Sequence, residues 1–150
     1  MNLNVIYVGI DVDDVRYHGC ALDQRTGEAV QFQCRATLKG LLGQLEKIRG
    51  HFGGAGLKLC YEASYVGFSL QRDLCVRGYD CEVIAPTSIP RRPGKAVKTD
   101  RIDAVDLAQY YATGLLTVVA PPDVQLEHDR DLLRSRQYVV QQQGMVRKHI

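Results

Sequence analysis

The run Val5-Ile6-Tyr7-Val8-Gly9-Ile10-Asp11 decides how the rest of the 150-residue chain is arranged. Six consecutive uncharged residues followed by an acid are typical of a strand that is buried on both faces in the middle of a sheet. We therefore predict that residues 5–10 form the first and central strand. Asp11 is predicted to close it, at the edge where α/β sheets commonly place their functional groups.

Two further strand-like runs, residues 15–22 and 29–34, follow the first strand. The five-residue turn Asp23–Gly27 joins them, and Gly27 can supply the positive φ that a hairpin turn needs. The three strands are therefore predicted to form an antiparallel meander. Leucines at helical spacing then predict a helix that begins after Thr37 as N-cap and ends at the glycines that follow Phe52.

Strands and helices alternate in the next part of the chain. The pattern predicts strands over residues 57–62 and 81–85, a helix over 66–76 and a helix from about Thr99 to Tyr111. Alternation of this kind indicates parallel strands joined by right-handed crossovers. The predicted fold is α/β and ribonuclease-H-like, with a mixed five-stranded sheet flanked by helices. A Rossmann fold is disfavoured because no G-x-G-x-x-G follows the first strand.

Residues 1–120 are predicted to form this domain, and residues 121–150 the start of a long coiled-coil-type helix. The helix is polar, and its apolar positions are few: Leu132, Leu133, Val139, Val140 and Val146. A stripe this thin normally packs on another copy of the helix or on parts outside the chain. We therefore expect a homo-oligomer formed through this segment.

The composition, with 45% hydrophobic and 24% charged residues, is that of an ordinary globular domain. No apolar run is long enough to span a membrane, and no secretory signal opens the sequence. The five cysteines are odd in number and contain no C-x-x-C pair, which argues against a disulfide framework and a zinc site. We expect a cytoplasmic protein with no membrane partner.

Positive charge is concentrated in one segment. The net charge is only +2, yet residues 1–90 carry −1 and residues 91–150 carry +3. The basic excess lies in a loop that leads into the predicted third helix, at Arg91, Arg92, Lys95, Lys98 and Arg101. We predict that these side chains contact nucleic-acid phosphates, although a solvated loop without a role would have the same composition.

Four acids are predicted to meet at the sheet edge. Asp11 and Glu62 follow neighbouring parallel strands, and Asp100 and Asp103 lie three residues apart at the predicted start of a helix. Like charges this close are unfavourable without a cation, so Mg²⁺, with Mn²⁺ as a substitute, is the expected cofactor. Two such ions can clamp the attacking and leaving oxygens of a phosphodiester displacement.

Each acid also has a simpler interpretation. Asp11 could be a turn residue and Glu62 a surface residue, while Asp100 and Asp103 could serve as helix-capping groups. Asp106 extends the same spacing but lies deeper in the predicted helix. The combination of two strand ends and a charged helix start is more specific than any single residue.

Four short motifs carry a family resemblance: GIDV at Gly9–Val12, YEAS at Tyr61–Ser64, APTSIPRR at Ala85–Arg92 and KTDRIDA at Lys98–Ala104. Together they resemble the N-terminal domain of the DEDD insertion-sequence transposases, the insertion-sequence one-ten group that includes the Piv/MooV DNA invertases. The resemblance extends from about Val5 to Leu116. It implies a RuvC-like fold whose metal-binding and catalytic tetrad is Asp11, Glu62, Asp100 and Asp103.

The resemblance also implies further parts and partners. A coiled-coil helix would follow, then a C-terminal domain with a nucleophilic serine that these 150 residues lack, so the chain is expected to be a fragment that is inactive alone. Members of the family are implied to act on donor and target DNA and to bind a structured non-coding guide RNA.

The favoured function is therefore that of a metal-dependent DNA recombinase or transposase domain. The alternatives are a stand-alone RuvC-like Holliday-junction resolvase or nuclease, and a non-catalytic nucleic-acid-binding module. A sugar-kinase-like ATPase is disfavoured because Val12-Asp13-Asp14-Val15 replaces the glycine-rich phosphate hairpin of that class.

Overall fold

The computed structural model describes residues 4–64, 66–90 and 103–148. The chain divides into two compact units, Met1–Val119 and Ala120–Ile150. Within the described ranges, the first unit contains a β-sheet with three α-helices and the second contains one helix. None of the described helices is both long enough and apolar enough to cross a bilayer.

The sheet is mixed, and β1 is its central strand. In chain order the described strands are β1 (Val5–Val12), β2 (Arg16–Asp23), β3 (Ala29–Arg35), β4 (Gly56–Glu62), β5 (Asp80–Ile84) and β6 (Val118–Val119). Their order across the sheet is β3-β2-β1-β4-β5-β6. β1 pairs antiparallel with β2 and parallel with β4, which confirms the predicted meander and the predicted parallel neighbour.

The prediction of five strands is wrong, because β6 adds a sixth. This strand pairs antiparallel with the end of β5, where Val118 lies opposite Ile84 and Val119 opposite Val83. Two residues are too few to produce an alternating pattern, so hydrophobic periodicity could not reveal this strand.

The helices are α1 (Leu38–His51), α2 (Ser69–Val76), α3 (Ala104–Ala112) and α4 (Val124–Lys148). Thr37 caps α1 as predicted, because its hydroxyl accepts a hydrogen bond of 3.0 Å from the Gly40 amide. Gly53 follows α1 with a φ of 68°, as expected for a helix stop. α2 begins later than predicted, since Gly67 adopts a φ of 61°, which no helical residue can have.

The two faces of the sheet are covered by different helices. α1 and α2 pack on one face, where Ile6, Val8 and Ile10 of β1 belong to the largest core cluster. α3 packs on the other face, which we call the α3 face. Since side chains alternate along a strand, Tyr7, Gly9 and Asp11 lie on the α3 face of β1.

α3 approaches β1 most closely at Gly9. A Cβ atom added there would lie 2.6 Å from the backbone nitrogen of Ala108 and 2.8 Å from the carbonyl oxygen of Ala104. Both obstacles are helix backbone, which cannot rotate out of the way as a side chain would. The helix can therefore take this position only because residue 9 has no side chain.

The opposite end of α3 fixes the direction of the helix. The Tyr111 ring contacts the Tyr7 ring edge-on, with centroids 5.7 Å apart. The Tyr111 hydroxyl donates a hydrogen bond of 2.6 Å to Glu82, which also forms an ion pair with Lys58. Because Tyr7 precedes Gly9 while Tyr111 follows Ala108, α3 runs antiparallel to β1, with its N-terminus toward the carboxyl end of the strand.

We predict that Gly9→Ala destabilises the protein by about 1–3 kcal/mol, because the added methyl group overlaps the backbone of α3. Gly43→Ala is the matched control. A Cβ at Gly43 would meet nothing within 4 Å, so this change should stabilise α1 by about 0.5–1 kcal/mol. Urea unfolding measures both free energies, and a Gly9→Ala variant as stable as the native protein would contradict the close contact.

Candidate metal centre at the sheet edge

Asp11 and Glu62 lie side by side on the α3 face. In the parallel pairing of β1 with β4, Gly9 is opposite Cys60 and Ile10 is opposite Tyr61, so the next two positions are Asp11 and Glu62. Adjacent strands are about 4.8 Å apart. Both side chains are half-buried. The structure thus brings these two predicted residues together at the carboxyl ends of neighbouring strands.

The prediction that Asp11 closes its strand is wrong. β1 continues to Val12, because Asp11 pairs with His18 of β2 and Val12 pairs with Tyr17. Pairing with β2 therefore extends β1 past the acid, and Asp11 is held by its pairing with His18. Glu62 is the last residue of β4, as predicted.

Asp103 caps α3 and precedes it. Its backbone is extended, with φ of −68° and ψ of 162°, and its carboxylate accepts a hydrogen bond of 2.8 Å from the Asp106 amide. α3 therefore begins at Ala104, and the prediction of a helix from about Thr99 with Asp103 inside its first turn is wrong. The capping bond explains the later start, because an N-cap residue marks the N-terminal end of its helix, and the first helical residue is the one that follows.

The N-terminus of α3 places positive potential near these acids. The free amides of a first helical turn carry a partial positive charge that stabilises nearby carboxylates. Burial, and after it the nearby Asp103 carboxylate, raises the pKa of the Cys20 thiol. Cys20 lies opposite Gly9 on β2, two pairs away from the Asp11–His18 pair. Asp103 is therefore within electrostatic range of β2, the strand that pairs with β1 at Asp11.

Asp106 is a further acid at this end of α3. It is only 5% exposed, which is rare for a carboxylate. Its deeper position in the predicted helix made it a weaker candidate than Asp103. The spacing of three residues from Asp103 was the signal that pointed to it.

Carboxylate oxygens are the ligands that hard cations such as Mg²⁺ prefer. Asp11, Glu62 and Asp103 supply only such oxygens, so their chemistry fits this cation. In the portion of the chain that the structure describes, no three His, Cys, Asp or Glu side chains are grouped closely enough to hold a metal ion. Asp100, the fourth predicted ligand, lies outside the described residues.

The predicted phosphate-binding segment also lies outside the described residues. This applies to all five of its cations: Arg91, Arg92, Lys95, Lys98 and Arg101.

Comparison with known families assigns the chain. The family model of the IS110-type DEDD transposases, described as a transposase, matches residues 8–149. The chain belongs to this family. The match covers the strands with Asp11 and Glu62, and it covers α3 and its cap.

Individual relatives agree with this assignment. The chain is 37% identical over 137 residues to transposase y4qE of Sinorhizobium fredii, a match that covers 90% of this chain. It is 38% identical over 78 residues, or 51% of this chain, to the transposase for insertion sequence element IS1533 of Leptospira borgpetersenii. The chain spans 35% of the length of the first relative and 22% of the second.

A solved structure, the large terminase nuclease from thermophilic phage G20c, aligns with 75% of this chain and 56% of its own. The TM-score is 0.40 and the sequence identity is 16%. At that TM-score the comparison does not establish a shared fold.

Two substitutions at Asp103 should separate its capping role from its charge. Asp103→Ala removes the acceptor of the Asp106 amide and should lower the free energy of unfolding by about 0.5–2 kcal/mol. Asp103→Asn keeps a good N-cap and should unfold at nearly the same urea concentration as the native protein. Equal stability of the alanine variant would show that the cap contributes nothing to α3.

Proposed function

We propose that this chain is the metal-binding part of a DNA transposase that acts on phosphodiesters in an RNA-guided recombination complex. The observation that carries the proposal is the adjacent placement of Asp11 and Glu62 on the α3 face, directly after the paired residues Ile10 and Tyr61 of two parallel strands. Two neighbouring carboxylates repel each other and raise each other's pKa unless a cation lies between them. A cation bound between them would therefore explain why two acids occupy these adjacent positions.

Within this proposal, Asp11, Glu62, Asp103 and Asp100 hold Mg²⁺, for which Mn²⁺ can substitute. The bound metal would polarise a phosphoryl oxygen and lower the pKa of the attacking hydroxyl or water. Strand pairing with His18 fixes Asp11, pairing with Ile84 fixes Glu62, and the capping bond to the Asp106 amide fixes Asp103. These three acids are thus held in place by the fold before substrate arrives, which favours catalysis.

The proposed partners are donor DNA, target DNA and a structured non-coding RNA. The basic segment, with Arg91, Arg92, Lys95, Lys98 and Arg101, is proposed to contact their phosphates. The chain spans about a third of the length of its first relative. We therefore propose that the nucleophilic serine implied by the family lies in another part of the full-length protein, and that the serine and the acids form one site.

α4 is proposed to join copies of the protein. Leu126, Leu133 and Val140 recur every seven residues along the helix, and all three side chains are exposed. Leu132 and Val139 lie beside them with the same spacing, and they are exposed as well. A seven-residue repeat of apolar residues is the signature of a coiled-coil seam. An isolated helix gains little stability without such packing.

The metal site can be tested by titrating the protein with Mn²⁺ and measuring free Mn²⁺ by electron paramagnetic resonance. We expect Asp11→Asn to weaken Mn²⁺ binding by about 10-fold or more, because loss of a residue that only hydrogen-bonds to a metal ligand already lowers metal affinity by that factor. Asp80→Asn is the matched control, because Asp80 begins β5 at the opposite end of the parallel strands and is exposed. Equal affinity of the Asp11→Asn variant and the native protein would favour a non-catalytic binding module.

The role of α4 can be tested by sedimentation at several protein concentrations. Leu133→Lys places a charge in the apolar seam and should shift the protein toward the monomer. Gln142→Lys adds the same charge on the other side of the helix and should leave the association unchanged. Identical sedimentation of the two variants would contradict the proposed seam.

A further inference from the structure

Two arginines lie directly opposite each other on the α3 face of β2 and β3. Arg16 pairs with Arg35 in the antiparallel register. The neighbouring residues Tyr17 and Cys34 belong to the core on the other face, so alternation places both arginines on the α3 face. Both side chains are exposed.

This arrangement is unfavourable for the fold. Like charges directly opposite each other in an antiparallel pair destabilise it. Neither Arg16 nor Arg35 forms an ion pair with any residue in the described ranges of the chain. A local conflict without a compensating contact is typical of a functional surface. An anion between the two guanidinium groups would remove the repulsion.

Two polar residues connect the arginines to the candidate metal centre. His18 and Gln33 form the next pair on the same face, and both are exposed. His18 also lies opposite Asp11. A continuous row therefore crosses four strands, from Glu62 through Asp11 and His18 to Gln33. We call Arg16, His18, Gln33 and Arg35 the ribbon patch.

The distances suit one nucleic-acid strand. Arg35 lies two strands from Asp11 and two residues further along the strand, which corresponds to about 12 Å. Successive phosphates of a duplex strand rise about 3.4 Å along the helix axis, and they lie further apart in space because the backbone winds around that axis. A strand whose reacting phosphate is at the acids would thus present a nearby phosphate of the same strand to the arginines.

We propose that the ribbon patch binds the phosphate backbone of the nucleic-acid strand on which the acids act. This inference rests on the proposed function of the acids. Arginine presents a planar fork of donors that matches phosphate oxygens, and His18 and Gln33 add further donors. The aromatic residues nearby, Tyr17 and Phe32, belong to the core on the opposite face and cannot stack on bases. The patch is therefore proposed to hold the backbone, which predicts an equal effect on all sequences.

The test compares equilibrium binding at several salt concentrations. The double variant Arg16→Ala/Arg35→Ala is compared with Lys39→Ala/Lys47→Ala, which removes the same charge from exposed positions of α1 on the opposite face. The probes are a DNA duplex, a DNA single strand and an RNA single strand of one sequence. All measurements are made in EDTA, so that metal binding plays no part.

We expect the arginine variant to bind more weakly to several unrelated sequences alike. The slope of log K against log salt should flatten by about 1.8 with a duplex or about 1.4 with a single strand, while the lysine variant should change little. The probe whose slope changes identifies the strand that the patch holds. Native and arginine-variant proteins with equal slopes on all three probes would overturn the proposal, as would native protein that binds none of them.

Stability provides a readout that separates binding from a structural role. Arg16→Glu places an acid opposite Arg35 and should raise the urea midpoint of unfolding while weakening nucleic-acid binding. If the arginines served the fold, this variant would unfold more easily, and the proposal would be wrong. Mn²⁺ binding separates the two proposals. If the arginine variants bind Mn²⁺ normally, a negative result in the nucleic-acid experiments contradicts the ribbon patch alone. If Asp11→Asn binds Mn²⁺ as the native protein does, the proposed metal site is contradicted instead.

Discussion

The contact between Gly9 and the backbone of α3 is the constraint on which the candidate site depends. With 2.6 Å between a hypothetical Cβ of Gly9 and the Ala108 nitrogen, strand and helix are as close as two backbones can pack. The contact fixes the height of α3 above β1, and the Tyr7–Tyr111 contact fixes its direction. Together they determine where the first turn of α3, and with it Asp103, meets the sheet.

The alternation of side chains explains why the acids share one face. The face toward α1 and α2 is filled by Ile6, Val8 and Ile10, all fully buried, and has no room for a charge. A charged residue at the end of β1 can therefore lie only at an odd-numbered position, on the α3 face. The parallel register transfers the same argument to Glu62, which follows Tyr61 as Asp11 follows Ile10. Two carboxylates thus become neighbours through the pattern of the core.

Much of this could be predicted from sequence, because it depends on local patterns. The apolar run of β1, the turn that ends at Gly27 and the cap at Thr37 are each specified within a few residues. The errors arose where pairing with a distant segment decides the outcome. Strand β2 extends β1 through Asp11, and β5 recruits the two residues of β6. The sequence favoured Asp100 as the cap with Asp103 in the first turn, whereas the structure has Asp103 as the cap.

The late start of α3 has a consequence for access to the sheet edge. A helix that began near Thr99 would extend about 7 Å further toward the carboxyl end of β1, a length equal to about two residues of a strand. It would then lie over the row that contains Asp11 and His18. Because α3 begins only after the cap at Asp103, the helix covers Cys20 and does not cover His18 and Gln33, which are exposed. One capping bond therefore helps to place an acid and also keeps α3 itself off the residues beside it.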